Sequence, residues 1–329
     1  MVRIQRRQLL KGAGALYAMP CLAFAQTARS TARVGILLQG SLTAAKYLLD
    51  AFKEEMTKSG WREGANIEYV SREGFNDFAR IDHHAAELVS LNVDVIAATT
   101  APTAIAARKH SSSIPIVFVL VPNPVATGLV ASLGKPGGNA TGTSTRFENL
   151  WGKRLQLLQD AVPSLRRVAL MYDPSDAQDS DMVAGGLGAG RELAIQVEPL
   201  AVRRAEDFKA WFSAAKAANI EAALVGGAIL FFMHRVNIAN LAIEYRLPML
   251  APNVDAAEAG MLLAYGINVT SLFRRAARYV DKILKGTKPQ DLPVEQPSVL
   301  ELVVNLKSAA AAGIKIPQSV LLRADRVIE

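Results

Sequence analysis

Four hydroxyl side chains near the N-terminal third of the sequence have the spacing of a small-anion site. Thr99, Thr100 and Thr103 surround Pro102 directly after a buried apolar run, and Ser41 follows another such run. A threonine before a first-turn proline is typical of a helix N-terminus. The free N–H groups and the dipole of such a terminus attract carboxylates. We therefore predict that these four hydroxyls contact a ligand, with helix capping or a chain turn as the alternative role.

Further polar side chains follow other apolar runs and are predicted to complete this ligand site. Asp173 is the candidate partner for a ligand ammonium, and Tyr265 or Asn253 would supply a stacking face or an amide. Asn123 lies in a loop after a strand, and Ser144 lies near an expected chain crossover. The alternative for Asp173 is a plain turn before a proline, and the alternative for Ser144 and Tyr265 is hinge structure.

Sequence motifs of common enzyme and metal sites are absent. The glycine-rich run from Gly185 to Gly190 has no Lys-Ser/Thr ending and lies in a predicted helix rather than after a strand. His83 and His84 are adjacent on a predicted helix, so their rings should face different directions and make a poor metal pair. The only cysteine, Cys21, lies in an N-terminal segment that is expected to be removed. We predict no catalytic residue, no metal and no cofactor.

These candidate residues are positioned by an alternation of short apolar strands and amphipathic helices. One series runs from Val34 to Val121, and a second runs from Arg167 to Ala251. Such alternation indicates parallel sheets, in which ligands bind beyond the carboxyl ends of the strands. A chain of 329 residues exceeds the usual size of one domain. The sequence therefore predicts an α/β protein with two Rossmann-like lobes.

The first 25 residues are typical of an export signal. A basic start is followed by an apolar stretch from Ala13 to Phe24, with small residues Ala23 and Ala25 at cleavage spacing. The adjacent pair Arg6-Arg7 favours the twin-arginine route, with general secretion as the alternative. The apolar stretch is about half of the roughly 20 residues that span a bilayer, so we expect no permanent anchor.

The charge of the chain gives little reason to expect a nucleic-acid partner. The formal net charge is +7, but removal of the four bases in the first 25 residues leaves 33 basic against 30 acidic side chains. So small a surplus is not the footprint of a nucleic-acid-binding protein. One predicted helix does carry a basic side, formed by Arg274, Arg275, Arg278, Lys282 and Lys285. We interpret it as a solvated helix face rather than a phosphate or membrane surface.

Several segments resemble one family over nearly the whole chain after the signal. They are Arg33 to Leu38, Leu129 to Leu133 with Pro136 to Gly142, Asp291 to Pro297, Glu301 to Lys307, and Ile316 to Glu329. The sequence is similar to the ABC-transporter substrate-binding family, whose better-known members bind aromatic amino acids. The resemblance implies a type I periplasmic binding fold, with two lobes joined by a multi-strand hinge of three strands and a ligand between them.

The resemblance also implies how such a protein is used. We expect a periplasmic monomer that delivers an amino acid or small carboxylate to ABC permease and ATPase subunits, and that meets the membrane only through the permease. Lobe 1 is placed at residues 33–142 plus 268–295, and lobe 2 at 143–267 plus 296–329. The alternatives are a sensing receptor that works with a signalling partner and a periplasmic Rossmann-like enzyme.

Two departures from the family pattern fall where ligand contacts are expected. Asn123-Pro124 stands where family members usually carry Asp-Pro, and the segment Val225 to Leu230 has almost no polar side chain. The ligand of the better-known members is therefore not carried over to this sequence.

Overall fold

The structure is a computed structural model that describes residues 31–145, 150–296 and 299–329, except for the side chains of residues 177 and 178. The predicted export signal, with Cys21, lies outside the described residues. Within the described part of the chain, every helix is too short or too polar to span a bilayer.

The first half of the chain forms a five-stranded parallel sheet. Its spatial order is β2-β1-β3-β4-β5. The strands are β1 (Ala32–Leu38), β2 (Ile67–Glu73), β3 (Val95–Thr100), β4 (Ile116–Val121) and β5 (Ala140–Ser144), and the intervening helices are α1 (Leu42–Lys58), α2 (Phe78–Ser90) and α3 (Ala101–His110). Strands β3 and β5 are buried at every residue. This is expected for β3, a central strand that is covered by helices on both faces. Strand β5 lies at the edge of the sheet, where Thr143 forms a bridge with Glu295.

The second half forms a seven-stranded sheet in the order β12-β11-β10-β9-β8-β6-β7. Every neighbouring pair is parallel except β10 with β11. The strands are β6 (Arg167–Tyr172), β7 (Gln196–Ala201), β8 (Ala222–Val225), β9 (Met249–Asn253), β10 (Leu263–Ile267), β11 (Glu301–Asn305) and β12 (Arg326–Ile328). The helices around it are α4 (Trp151–Ala161), α5 (Ala177–Glu192), α6 (Phe208–Ala217), α7 (Ile229–Met233), α8 (Arg235–Tyr245), α9 (Val254–Glu258), α11 (Leu306–Ala312) and α12 (Gln318–Leu321).

Helix α10 (Val269–Leu284) follows β10 of the second sheet but packs on the first sheet. Its buried residues Leu272, Phe273 and Val280 share one hydrophobic core with Val34 of β1 and Phe52 of α1. The chain thus passes between the sheets after β5, between β10 and α10, and before β11. The predicted α/β fold class, with two sheets joined by several chain crossings, is confirmed.

The basic side of α10 faces acidic groups of the same protein. Arg278 contacts Glu55 of α1 at 2.6 Å, and Arg275 contacts Glu295 at 2.8 Å. Lys285 also pairs with Asp281 within the helix, at 2.7 Å. Such partly exposed pairs stabilise a protein only slightly. They nevertheless give these cations internal partners, which suits the interpretation as an ordinary solvated helix face.

Three strands, β5, β10 and β12, were not predicted from the sequence. In β5, Gly142 lies inside the strand. A side chain at Gly142 would overlap the carbonyl oxygen of Phe118 on β4. The glycine therefore permits close approach of two strands rather than a turn. Strand β3 includes Thr99 and Thr100 at its carboxyl end.

Candidate functional site

A cleft of about 830 Å³ lies between the carboxyl ends of the two sheets. Gln39, Thr100 and Asn123 line it from the first sheet, and Gly227 and Asn253 line it from the second. These are the positions where loops and helix starts diverge from parallel strands, which is the usual place for a ligand in such sheets. The volume is in the range of sites for small molecules.

Most of the remaining lining is apolar. Apolar side chains come from both halves of the chain, among them Phe78, Leu120, Trp151, Ile229, Phe232 and Ile267, and the side chains of Asp176 and Asp181 also line the cleft. A cleft that combines apolar side chains with polar groups favours a ligand that has both an apolar body and polar atoms.

Three of the nine predicted ligand residues line this cleft: Thr100, Asn123 and Asn253. Ser144 instead lines a smaller cavity of about 350 Å³ together with Asn123. The other five do not border the cleft, and they are Ser41, Thr99, Thr103, Asp173 and Tyr265.

The buried threonines are held by backbone hydrogen bonds. Thr103 is fully buried, and its hydroxyl accepts a hydrogen bond from the N–H of Thr100 at 2.9 Å and donates to the carbonyl of Thr100 at 2.8 Å. The hydroxyl of Thr99 donates to the carbonyl of Leu37 at 3.2 Å and accepts from the N–H of Gln39 at 3.3 Å. Their geometry therefore matches the alternative structural role, in which threonine hydroxyls fix the loop and the helix start.

The other polar candidates also have local partners. The hydroxyl of Ser41 accepts from the N–H of Ala44 at 3.3 Å and so caps α1. A carboxylate oxygen of Asp173 accepts from both the N–H and the hydroxyl of Ser175, at 2.9 and 2.6 Å, as expected for a turn residue. The Ser144 hydroxyl donates to a backbone carbonyl at 3.0 Å. Tyr265 contributes its carbonyl oxygen to Arg154.

Arg154 on α4 is a cleft residue that the sequence analysis missed. It is only 6% exposed, its Nε donates to the carbonyl of Tyr265 at 2.9 Å, and its guanidinium lies 4.3 Å from the centre of the Trp151 ring. No carboxylate of the described residues lies within ion-pair distance of it. Burial lowers the pKa of Arg154 to about 9, so the group still carries its charge at neutral pH.

A signal for Arg154 was nevertheless present in the sequence. On a helix, Arg154 shares a face with Leu157, Leu158 and Ala161, all of which are buried. An arginine among the apolar positions of an amphipathic helix indicates a buried charge that needs a partner. Helix α4 precedes the second series of strands and helices, which the sequence analysis begins at Arg167, so this helix was not considered.

The buried carboxylate of Asp179 explains why residue 226 is a glycine. The Asp179 carboxylate is fully buried and accepts from the N–H of Gly227 at 2.7 Å and of Asp173 at 2.9 Å. A side chain at Gly226 would overlap this carboxylate. Burial raises the pKa of Asp179 to about 7, although the backbone donors oppose the shift. The N–H of Gly227 is thus used by the protein itself.

Two further cleft residues carry polar atoms without protein partners. The side-chain oxygen of Asn253, at the end of β9, is buried and accepts no hydrogen bond from the part of the chain that the structure describes. Asp181 of α5 lines the cleft and forms no hydrogen bond or ion pair with the described residues. Together with Arg154, they leave the second-sheet side of the cleft with unused hydrogen-bonding capacity.

The histidine pair lies closer to a carboxylate than its spacing suggested. Ligand atoms of His83, His84 and Glu87 all fall within 4.8 Å of one another. However, Arg72 donates to both carboxylate oxygens of Glu87, at 2.8 and 2.6 Å. These hydrogen bonds are the main cause that lowers the pKa of Glu87 to about 2. Because the carboxylate already has Arg72 as its cationic partner, this cluster is poorly suited to hold a metal ion.

The known proteins to which this chain is similar include binding proteins. A curated tyrosine-binding protein from Clostridioides difficile (strain R20291) is 26% identical over 254 residues, which are 77% of this chain and 73% of that protein. A solved domain from Streptococcus pneumonia in complex with L-Trp has a TM-score of 0.78 at 22% identity, over 91% of this chain and 100% of that one. The ligand-free, open structure of a substrate-binding protein with adhesive properties from Clostridium difficile has a TM-score of 0.65 at 26% identity, covering 91% and 99%.

The fold is that of the type I periplasmic binding proteins. A family described as ABC transporter substrate binding protein matches residues 34–328. Proteins of this family act outside the cytoplasmic membrane, bind a small molecule and work with an ABC permease. Because the match spans nearly the whole described chain, this protein belongs to the ABC transporter substrate-binding protein family.

Proposed function

We propose that the cleft binds an amino acid or another small carboxylate and that the protein passes it unchanged to ABC permease and ATPase subunits in the periplasm. The observation that carries this proposal is the 830 Å³ cleft, with apolar walls and unpartnered polar groups, between the strand ends of two sheets. A catalytic constellation is not required for this role, and the named relatives are binding proteins.

The ligand class is supported by the relatives and by the cleft lining. One relative is named for tyrosine, and one structural neighbour contains L-Trp. The cleft supplies apolar surface for such side chains from Phe78, Trp151 and Phe232. It also contains a buried cation, Arg154, that suits a carboxylate.

We further propose that the sheets belong to two lobes that close on the ligand. Lobe 1 comprises residues 33–142 plus 268–295, and lobe 2 comprises 143–267 plus 296–329. The packing of α10 on the first sheet supports this division. Residues 1–25 would serve as a cleaved export signal, and the mature protein would act as a monomer without a nucleic-acid partner.

The test is to identify what the protein holds after purification under native conditions. Mass spectrometry of the released small molecule, followed by calorimetric titration of the stripped protein, is expected to find an amino acid or small carboxylate that is recovered unchanged. Small-angle scattering should show compaction on binding, because a ligand that spans both lobes favours the closed state. A guest that emerges chemically altered, or one without a carboxylate, would contradict the proposal.

A further inference from the structure

We propose that Arg154 is the residue that receives the carboxylate of the ligand and that the side-chain amide of Asn253 receives an N–H donor of the same ligand. The inference rests on the proposed function and deepens it, because it assigns the two ends of the ligand to the second-sheet side of the cleft. It also reverses the prediction from the sequence, which gave the carboxylate to the hydroxyls that follow the first-sheet strands.

Among the described residues, no carboxylate pairs with the buried guanidinium of Arg154. The group has five N–H donors, and in this structure the only hydrogen bond it makes to the described residues is from Nε to Tyr265. A buried charge is costly unless it is paired and hydrogen-bonded. Because Arg154 lines the cleft, an anion bound there would supply the missing partner.

The guanidinium is held in place before any ligand arrives. The Trp151 ring lies 4.3 Å from it and favours a cation over its face. The hydrogen bond to the carbonyl of Tyr265 fixes the Nε edge of the guanidinium. A planar, pre-oriented fork is suited to bidentate binding of a carboxylate.

Asn253 lies at the same end of the second sheet as Tyr265, whose carbonyl oxygen accepts the hydrogen bond from Arg154. It pairs with Ile267 across β9 and β10, two residues beyond Tyr265. Its side-chain oxygen is buried without a donor, and its amide makes no hydrogen bond to the described residues. A buried acceptor left unpaired is unfavourable, so a ligand N–H group that approaches it would be bound.

The two unsatisfied groups together specify a ligand with an anion and an N–H donor at one end. An α-amino acid carries a carboxylate and an ammonium on the same carbon, so one end of the molecule can satisfy both residues. A simple carboxylate would satisfy Arg154 but not Asn253, and an amine would satisfy Asn253 but not Arg154. This difference makes the two roles separable by experiment.

The experiment uses two matched sets of probes with the ligand-stripped protein. One set is L-tyrosine, 3-(4-hydroxyphenyl)propionate and tyramine, and the other is L-leucine, 4-methylpentanoate and 3-methylbutylamine. Calorimetry should show that Arg154→Gln weakens the amino acid and the acid by about 100-fold and the amine by less than about 3-fold. Asn253→Leu should weaken the amino acid and the amine by about 10-fold and leave the acid unchanged. Arg154→Lys should fall between wild type and Arg154→Gln, because it keeps the charge and loses the fork.

Arg323→Gln is the matched control, since that arginine pairs with Asp160 on the surface away from the cleft. Circular dichroism of each variant checks folding. If Arg154→Gln does not fold, the wild-type series decides: an amine that binds as tightly as its amino acid overturns the inference. Unchanged binding of the acids by Arg154→Gln overturns it while leaving the proposed function intact. If the wild-type protein binds no carboxylate of either set, the ligand class falls and the inference falls with it.

Discussion

On the first-sheet side of the cleft, polar side chains such as Thr100 and Asn123 are hydrogen-bonded to other groups of the protein. On the second-sheet side, several polar side chains have atoms with no such partner among the described residues. Thr100 lies within a network with the Thr103 hydroxyl, and the Asn123 side chain accepts from a backbone N–H at 3.0 Å. Across the cleft, Arg154 has no acidic partner among the described residues, and the oxygen of Asn253 has no donor. The two walls therefore differ in what is left for a ligand.

The difference separates scaffold from binding surface. A polar group that is fully hydrogen-bonded inside the protein contributes to stability and has little left to offer a ligand. A group that is buried without partners lowers stability until a ligand binds it. Substitutions of satisfied groups should therefore change stability more than affinity, and substitutions of unsatisfied groups should do the reverse.

The largest expected effect concerns Asp179, a residue on the second-sheet side whose carboxylate is hydrogen-bonded within the protein. Burial raises its pKa to about 7, compared with about 3.9 in an unfolded chain. Between these values the unfolded state loses the proton and the folded state keeps it. The contribution to stability is therefore fully present below about pH 4 and is lost as the pH rises to about 7, by up to about 4 kcal/mol.

Urea unfolding of the ligand-free protein between pH 4 and 8 measures this effect. Asp179→Asn removes the titration, so its stability should vary less with pH than that of wild type. Asp181→Asn is the matched control, because Asp181 is exposed and lies on the same helix. If the free energies of unfolding of wild type and Asp179→Asn change with pH in the same way over this range, the pKa of Asp179 is not raised. The structural role inferred for Asp179 is then wrong.

Thr103 gives the next largest effect, on the first-sheet side. Thr103→Ala should lower the free energy of unfolding by about 1–2 kcal/mol, because it leaves the N–H of Thr100 without an acceptor at the start of α3. Ligand affinity should change by less than about 3-fold (roughly 0.6 kcal/mol), since the side chain does not border the cleft. Thr57→Ala, on the exposed face of α1, serves as the control. A large loss of affinity with unchanged stability would instead restore the first-sheet hydroxyls as ligand contacts.

The fold was predictable from the sequence because its main signal is local. Short runs such as Ala222–Val225 are apolar at every position, and this run forms strand β8. The strands that were missed either contain glycine, as in β5, or are only three residues long, as in β12. In both cases the pairing with a distant strand, rather than local composition, determines the structure.

The site was less predictable because the same residue types occur both as structural groups and as ligand contacts. A threonine before a helix is equally suited to capping and to ligand binding, and only the partners of its hydroxyl distinguish the roles. The informative contacts are distant in sequence: Arg154 and Tyr265 are 111 residues apart, and Asp179 and Gly227 are 48 apart. No pattern within a single helix or strand encodes such pairs.

The smallest predicted effect concerns the stability of the ligand-free protein when Arg154 is replaced by methionine. The substitution removes one hydrogen bond and the contact with Trp151, but it also removes an unpaired buried charge. Replacing buried charged groups with apolar ones of similar volume is often neutral or stabilising, so we expect a change between zero and about 1 kcal/mol in favour of folding. Arg278→Met is the comparison, because it removes the cation that lowers the pKa of the buried Glu55 carboxyl and should slightly destabilise the protein. If Arg154→Met instead unfolds the ligand-free protein, Arg154 belongs to the scaffold, and the contrast between the two walls no longer holds.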